Sequence, residues 1–121
     1  MAGRKLASGI FYTAIQAIKT QITALGLVAI TDPRNVRPLS VLIEMPSFDS
    51  FTSNVGNISI PVRIIGAPPA NQDTSDYLVT TADRIMNSPI SVTSGSAGYA
   101  TYGGQELPTY DLQVAVVVRR N

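Results

Sequence analysis

Apolar residues recur at steps of three and four along 8–25, the first patterned stretch of the chain. This spacing predicts an amphipathic helix whose apolar stripe faces a core. Ser8 is a candidate N-cap, because its hydroxyl oxygen can accept a hydrogen bond from a backbone N–H of the first turn. Gly26 is placed to end the helix, since glycine adopts the left-handed conformation at helix ends without strain. The stripe consists of Ile10 or Phe11, Ala14 or Ile15, Ile18, Ile22 and Leu25.

A second helical pattern covers 73–88 and follows the Pro- and Gly-containing stretch 66–72. Asp73 and Asp76 have the N-cap and N3 spacing of a capping box with Asp in place of Glu, so this helix is predicted to start at Asp73. Pro89 follows the last helical turn and cannot continue it. The apolar positions of this helix are Leu78, Val79, Ala82, Ile85 and Met86.

Four other stretches have the alternating or short apolar patterns that are typical of β-strands. The last of them is the strongest, and its second face is also partly apolar, which predicts a central position in the sheet. Another carries Pro61 in its interior. Because proline has no N–H to give to a ladder, that strand is predicted to lie at a sheet edge. The predicted strands are 39–45, 58–65, 90–93 and 110–119.

The segments between these strands are interpreted as turns and loops. Residues 31–38 are rich in turn formers, 47–57 is a polar loop with two phenylalanines, and 94–108 is rich in Gly, Ser and Tyr. The resulting order, α-β-β-α-β-β, predicts one α+β domain with two helices packed on one face of a mainly antiparallel sheet. The domain covers 1–121, with 1–7 as a flexible N-terminus.

The chain is poor in charge, which favours a surface that is covered by another molecule over the surface of a sticky monomer. Charged residues make up 14% of the sequence, against about 25% in a typical soluble domain. Nine Lys and Arg against eight Asp and Glu leave a net charge of +1, too little to indicate nucleic-acid binding from bulk charge. With no signal-peptide pattern and no apolar run of membrane-spanning length, we expect a soluble chain made without export.

The residue types that most enzymes use are missing. The sequence has no histidine and no cysteine, which removes the commonest general base and the usual transition-metal ligands. Of the two lysines, Lys5 precedes the first helix and Lys19 lies on that helix's polar side. Capping explains Asp73 and Asp76, and hairpin loops explain the glycines. We therefore expect no enzyme activity and no catalytic, cofactor-binding or metal-ligating residues.

Large rings on polar loops are the most conspicuous candidates for partner contact. Such rings either fold back as local core or anchor a partner, and the sequence leaves both readings open. The loop arginines Arg34 and Arg37 are candidates for ion pairs between subunits, or are solvated. The candidate subunit-interface residues are Phe48, Phe51, Pro61, Arg63, Tyr99, Tyr102, Arg119 and Arg120.

The order of these patterns resembles the tail terminator proteins of long-tailed bacteriophages, also called minor tail or tail-completion proteins. The resemblance covers about residues 8–120 and consists of architectural patterns without a catalytic signature. Most similar is a strand–Pro–Val–apolar pattern, followed by a Gly/Pro stop and a helix with an acidic cap. The matching segments after the first helix are LSVLIEMPSF (39–48), ISIPVRIIGAPP (58–69), DTSDYLVTTADRIMNS (73–88) and PTYDLQVAVVVRR (108–120).

The resemblance implies a virion structural protein at the neck end of the tail, made in the host cytoplasm. Family members form hexameric rings that cap the tail-tube protein, end tail polymerisation and bind the head–tail connector or stopper, while DNA passes through the lumen without sequence-specific binding. In such a ring, the strand with Pro61 is expected at a subunit edge. Two alternatives stay open: a neighbouring neck or tail component, namely a stopper, head-completion or tail-tube subunit, and a soluble ligand-binding module or carboxylate enzyme.

Overall fold

The computed structural model describes residues 9–51, 55–68 and 71–119. The predicted flexible segment 1–7 and the predicted cap Ser8 lie outside these residues. The elements, in chain order, are α1 Ile10–Ala24, β1 Ala29–Ile30, a 3-10 turn Pro33–Asn35, β2 Ser40–Ile43, β3 Ser47–Phe51, β4 Val55–Ile65, α2 Gln72–Met86, β5 Val92–Tyr102 and β6 Gln105–Arg119.

The strands form one mainly antiparallel sheet, in the order β1-β2-β4-β6-β5, with β3 also paired to β4. Among the strands that the structure describes, only the short β1–β2 pair is parallel. Together with the two helices, this arrangement confirms the α+β class. The strands predicted at 39–45 and 58–65 correspond to β2 and β4, which pair antiparallel. The predicted central place of the last strand is also confirmed, because β6 lies between β4 and β5.

Two segments predicted as loops are largely strands. Residues 47–51 form β3, and much of 94–108 belongs to the long β5–β6 hairpin, whose turn is Gly103-Gly104. β5 buries none of its side chains fully. Because the hydrogen bonds of a ladder come from the backbone, such a strand can form without the apolar alternation that reveals inner strands.

The helix ends agree only partly with the predicted caps. Gly26 follows α1 with φ +83, the left-handed conformation expected of a glycine that ends a helix. At α2, however, the N-cap is Asn71, whose side-chain oxygen accepts a hydrogen bond from the Thr74 N–H at 3.1 Å. The predicted cap at Asp73 is therefore wrong by two residues. Asp73 lies in the first turn instead, where a carboxylate favours the positive end of the helix dipole.

Both helices contribute to one hydrophobic core on the same face of the sheet. In β4 the inward residues alternate strictly, so Ile58, Ile60, Val62 and Ile64 all face this core. Burying such side chains contributes about 1.5–3 kcal/mol each. The other buried core residues include Ala14, Ile18 and Ile22 of α1, Leu78, Ala82 and Ile85 of α2, Val41 and Ile43 of β2, and Leu112 and Val114 of β6.

The opposite face of the sheet buries a smaller set of apolar side chains. They lie at the end of the sheet where the β5–β6 hairpin extends past the last β4–β6 pair, Ile65 with Thr109. Thr109 is 1% exposed, and its hydroxyl has no hydrogen-bond partner among the described residues. The buried apolar residues that lie outside the helix-side core include Ile30, Leu42, Ile65 and Leu107.

Pro61 lies in the interior of the sheet, so the predicted edge position of its strand is wrong. β4 pairs with β6 on one side and with β2 and β3 on the other. The Glu44 N–H donates a hydrogen bond to the Pro61 carbonyl at 2.9 Å. In an antiparallel pair the N–H of residue 61 would normally donate to the Glu44 carbonyl in turn, but proline has no N–H. That missing bond falls where β2 has ended and β3 has not begun. The proline is therefore tolerated at a break in the neighbouring strand.

We expect Thr109→Val to raise the free energy of unfolding by about 1 kcal/mol, because it removes a buried hydroxyl without a partner and keeps the side-chain shape. Urea denaturation measures the change. Thr101→Val, at an exposed position of the same hairpin, is the matched control and should change stability by less than about 0.5 kcal/mol. A lower midpoint for Thr109→Val than for the unmodified chain would show that the hydroxyl is satisfied.

Two glycines of β5 should differ in their tolerance of alanine. A Cβ at Gly95 would lie 2.9 Å from the Leu112 Cδ2, and Leu112 is fully buried, so the side chain has little room to move. We expect Gly95→Ala to cost about 1–3 kcal/mol. At Gly98 the nearest contacts are 3.4 Å, an ordinary distance. Gly98→Ala is therefore the control, and equal denaturation midpoints for the two variants would contradict the packing argument.

Candidate subunit interface

β5 is an open edge of the sheet and carries no charged residue. Among the described residues, Val92–Tyr102 of β5 pair only with β6, and the sequence VTSGSAGYATY contains neither lysine nor proline. Natural edge strands are usually blunted by such residues, because unpaired N–H and C=O groups attract other strands. The register shift between Val92 and Ser94 is the one irregularity in this pairing. Most of this edge therefore remains available to another chain.

The other side of the sheet ends in two short strands. β1 has two residues and pairs with β2, whereas β3 has five residues and pairs with β4. The two edges of the sheet thus differ in length and composition. A contact between unlike edges of two copies is heterologous, and such contacts close into rings when the rotation between copies permits it.

On the face without helices, Arg63 contacts Asp111 of β6, Tyr102 at the end of β5 and Glu44, which directly follows β2. Its Nε donates a hydrogen bond to the Asp111 Oδ1 at 2.9 Å and lies 3.7 Å from the Glu44 Oε1. Its Nη1 donates to the Tyr102 hydroxyl at 3.0 Å. The Arg63 side chain is 27% exposed, and both carboxylate side chains are 33% exposed. This Arg63 cluster joins β2, β4 and β6 to the hairpin tip.

The Arg63–Tyr102 bond shows that the hairpin tip bends over this face. Arg63 is paired with Asp111 in the sheet, whereas Tyr102 is paired with Gln105, which lies six residues before Asp111 in β6. In a straight strand that separation is about 20 Å, more than the two side chains can span. Burial alone would lower the pKa of Arg63, but the hydrogen bonds to Tyr102 and Asp111 and the carboxylate charges raise it overall. The guanidinium therefore stays charged and keeps the tip in place.

The structure does not bring the predicted interface residues together as one site. Tyr99 is 63% exposed on β5 and is free for contact, whereas Tyr102 and Arg63 bind each other within the chain. Pro61 is interior. Phe48 and Phe51 belong to β3, and Arg119 ends β6 opposite Val55, but their side chains are not among the described ones; Arg120 lies outside the described residues.

The loop arginines do not form a common basic surface. Arg34 pairs with Asp32 of its own loop, with an Nη2–Oδ2 distance of 2.8 Å. This pair lowers the pKa of Asp32, first through the side-chain hydrogen bond from Arg34. Because Arg34 is 88% exposed, the pair adds little to stability. Arg37 is exposed, and its carbonyl accepts a hydrogen bond from the Ser40 hydroxyl at 2.6 Å.

A groove between α2 and the segment after α1 was not predicted from the sequence. Its lining includes Val28, Leu39, Asp73, Asp76 and Tyr77. Burial raises the pKa of Tyr77, and a hydrogen bond with Thr81 and the charge of Arg84 oppose that rise. Sequence patterns place Leu39 in a strand and Asp73 and Asp76 at a helix cap. They do not predict the groove, because it forms only when separate segments of the chain meet.

Within the described part of the chain, no three acidic side chains are grouped as a metal site would require. None of the described helices is long and apolar enough to span a membrane. No protein-family model matches the sequence, and no curated protein matches it.

We expect Tyr102→Phe to lower the free energy of unfolding by about 1 kcal/mol, because it removes the hydroxyl that Arg63 binds. The amides of the hairpin tip should also exchange with solvent faster, which hydrogen-exchange measurements would detect. Tyr99→Phe, at the exposed tyrosine of the same strand, is the control and should change neither quantity. Unchanged tip exchange in Tyr102→Phe would show that the hydrogen bond does not hold the bend.

Proposed function

We propose that this chain is a virion structural protein of the tail terminator type. Copies of it would form a ring by joining sheet edges. This ring would cap the tail tube, end tail polymerisation and join the tail to the head connector. The observation that carries the proposal is the open sheet with two unlike edges, one of them the long uncharged β5. Head-to-tail contact between such edges is a route to a closed ring.

The surface chemistry supports an assembling subunit rather than an enzyme. An edge of this length without charge or proline promotes association unless a partner covers it. Several large apolar side chains are also exposed, among them Met45 at 82% and Tyr99 at 63%. In a ring, neighbouring subunits would cover much of this apolar surface.

The distribution of charge supports a ring whose lumen lets DNA pass without binding it tightly. Arg34 and Arg63 both have carboxylate partners within the chain, so neither offers an uncompensated positive charge. With a net charge of +1, the subunit has no strong attraction to phosphate overall. Low attraction suits a lumen through which DNA must slide.

Electron microscopy of tails assembled with and without this protein tests the proposal. We expect one ring of density at the neck end when it is present. Without it, tails should have uncontrolled length or fail to join heads. Density repeated along the tube would instead identify a tube subunit, and unchanged tails without this density would exclude a tail role.

A charge on the β5 edge should weaken the ring while the subunit stays folded. Ala97 is exposed on β5, and Ala97→Lys places a cation on the open edge. We expect fewer capped tails with this variant and a denaturation midpoint close to that of the unmodified chain. Gln21→Lys adds the same charge to an exposed position of α1 and should leave capping intact. Equal capping by both variants would exclude β5 as the contact edge.

A further inference from the structure

The groove between α2 and the segment after α1 combines an apolar rim with acidic side chains. It has a volume of about 490 Å³. Val28 and Leu39 line it and are 43% and 51% exposed, so two of the chain's exposed large apolar side chains meet at one place. Asp73 and Asp76 of α2 line the same groove.

Leu39 is held in a conformation that leucine rarely adopts. Its φ is +66, and it is the only non-glycine residue with positive φ in the described part of the chain. The Leu39 N–H donates a hydrogen bond to the Ile65 carbonyl at 3.0 Å, which ties this backbone to β4. Such a conformation is strained and often occurs at functional positions. Here it accompanies a leucine that is left half exposed beside the groove.

The charge of the groove favours a basic partner. Two carboxylates and the Arg84 guanidinium line it. The Arg84 Nη1 already donates to the Leu25 carbonyl at 3.3 Å, at the negative end of the α1 dipole. A fitting partner therefore has an apolar side chain next to positive charge.

We propose that Arg4, Lys5 and Leu6 of a neighbouring copy dock in this groove. The leucine would contact Val28 and Leu39, and the two cations would lie beside the carboxylates of Asp73 and Asp76. Arg-Lys-Leu is a part of this sequence where two basic residues adjoin a large apolar one. The C-terminal arginines are less suitable, because the Arg119 backbone is already part of the β4–β6 ladder, opposite Val55.

The occupant must come from another copy. The groove begins at Gly26, directly after α1, whereas residues 4–6 precede the other end of that helix. The 15 residues of α1 span about 22 Å, and the few residues from Leu6 to Ile10 reach about 14 Å at most. Docking therefore links successive subunits head to tail, and this inference rests on the ring proposed above.

Site-specific disulfide formation tests the contact, because the natural sequence contains no cysteine. A chain carrying Leu6→Cys and Leu39→Cys is oxidised at about 1 mM, where contacts with a Kd of about 1 mM are populated. We expect covalent dimers and higher species. Leu6→Cys with Val117→Cys is the control, since Val117 is 61% exposed on β6. Equal yields from the two pairs, or no covalent species from the Leu39 pair, would overturn the proposal.

A charge swap with the same cysteine pair gives an independent measurement. Asp73→Lys with Asp76→Lys should lower the disulfide yield about fivefold, the effect expected for two exposed ion pairs. Arg4→Glu with Lys5→Glu should do the same, and all four changes together should restore the yield. Failure of the combined variant to recover would contradict the proposed pairing of charges.

Leu39→Gly separates docking from folding. Glycine adopts positive φ without strain, so this variant should keep the fold while it removes the apolar contact. We expect it to fold and to lose self-association in sedimentation experiments. A ring at the neck of tails built from Leu39→Gly would overturn the docking while the tail terminator function stands. Absence of any ring from tails built with the unmodified protein would instead remove the proposed function.

Discussion

Hydrogen bonding on both sides of β4 is the constraint on which the rest of this structure depends. β6 pairs with all eleven residues of Val55–Ile65, and β2 and β3 share the other side. Its even-numbered residues from Ile58 to Ile64 enter the core beneath the helices, while Arg63 organises the opposite face. The helices pack on β4, the break between β2 and β3 lies beside it, and its Arg63 binds the bent hairpin tip.

The sequence predicts the elements that have one buried, apolar face and one exposed, polar face. Both helices and the inner strands could be predicted because their apolar residues repeat with the period of the element. The outer strands could not, since β5 and β3 are defined mainly by backbone pairing. The edge position predicted for the strand with Pro61 was wrong for a related reason. Proline needs only one place where the adjacent strand does not require its N–H, and a break in that strand provides this as well as a sheet edge does.

The candidate sites depend on long-range contacts and were harder to predict. Tyr102 has no basic neighbour in the sequence, yet it binds Arg63 through the bend of the hairpin. The groove joins Val28 and Leu39 to Asp73 and Asp76, which come from separate segments. Local patterns assign each of these residues to its own strand, loop or cap and do not show which of them meet. For Tyr99 the sequence left local core and partner contact both open, and the structure shows the ring 63% exposed.

The β4–β6 ladder also sets the order in which the molecule can form. Its paired residues are separated by more than forty positions, with α2 and β5 between them, so closing this ladder carries a large loop entropy. During synthesis, β4 must wait until β6 has been made before the hydrogen bonds on that side of the strand can form. The β5 edge takes its place in the sheet only after that closure. A subunit therefore presents its edge to a neighbour late, when its own folding is nearly complete.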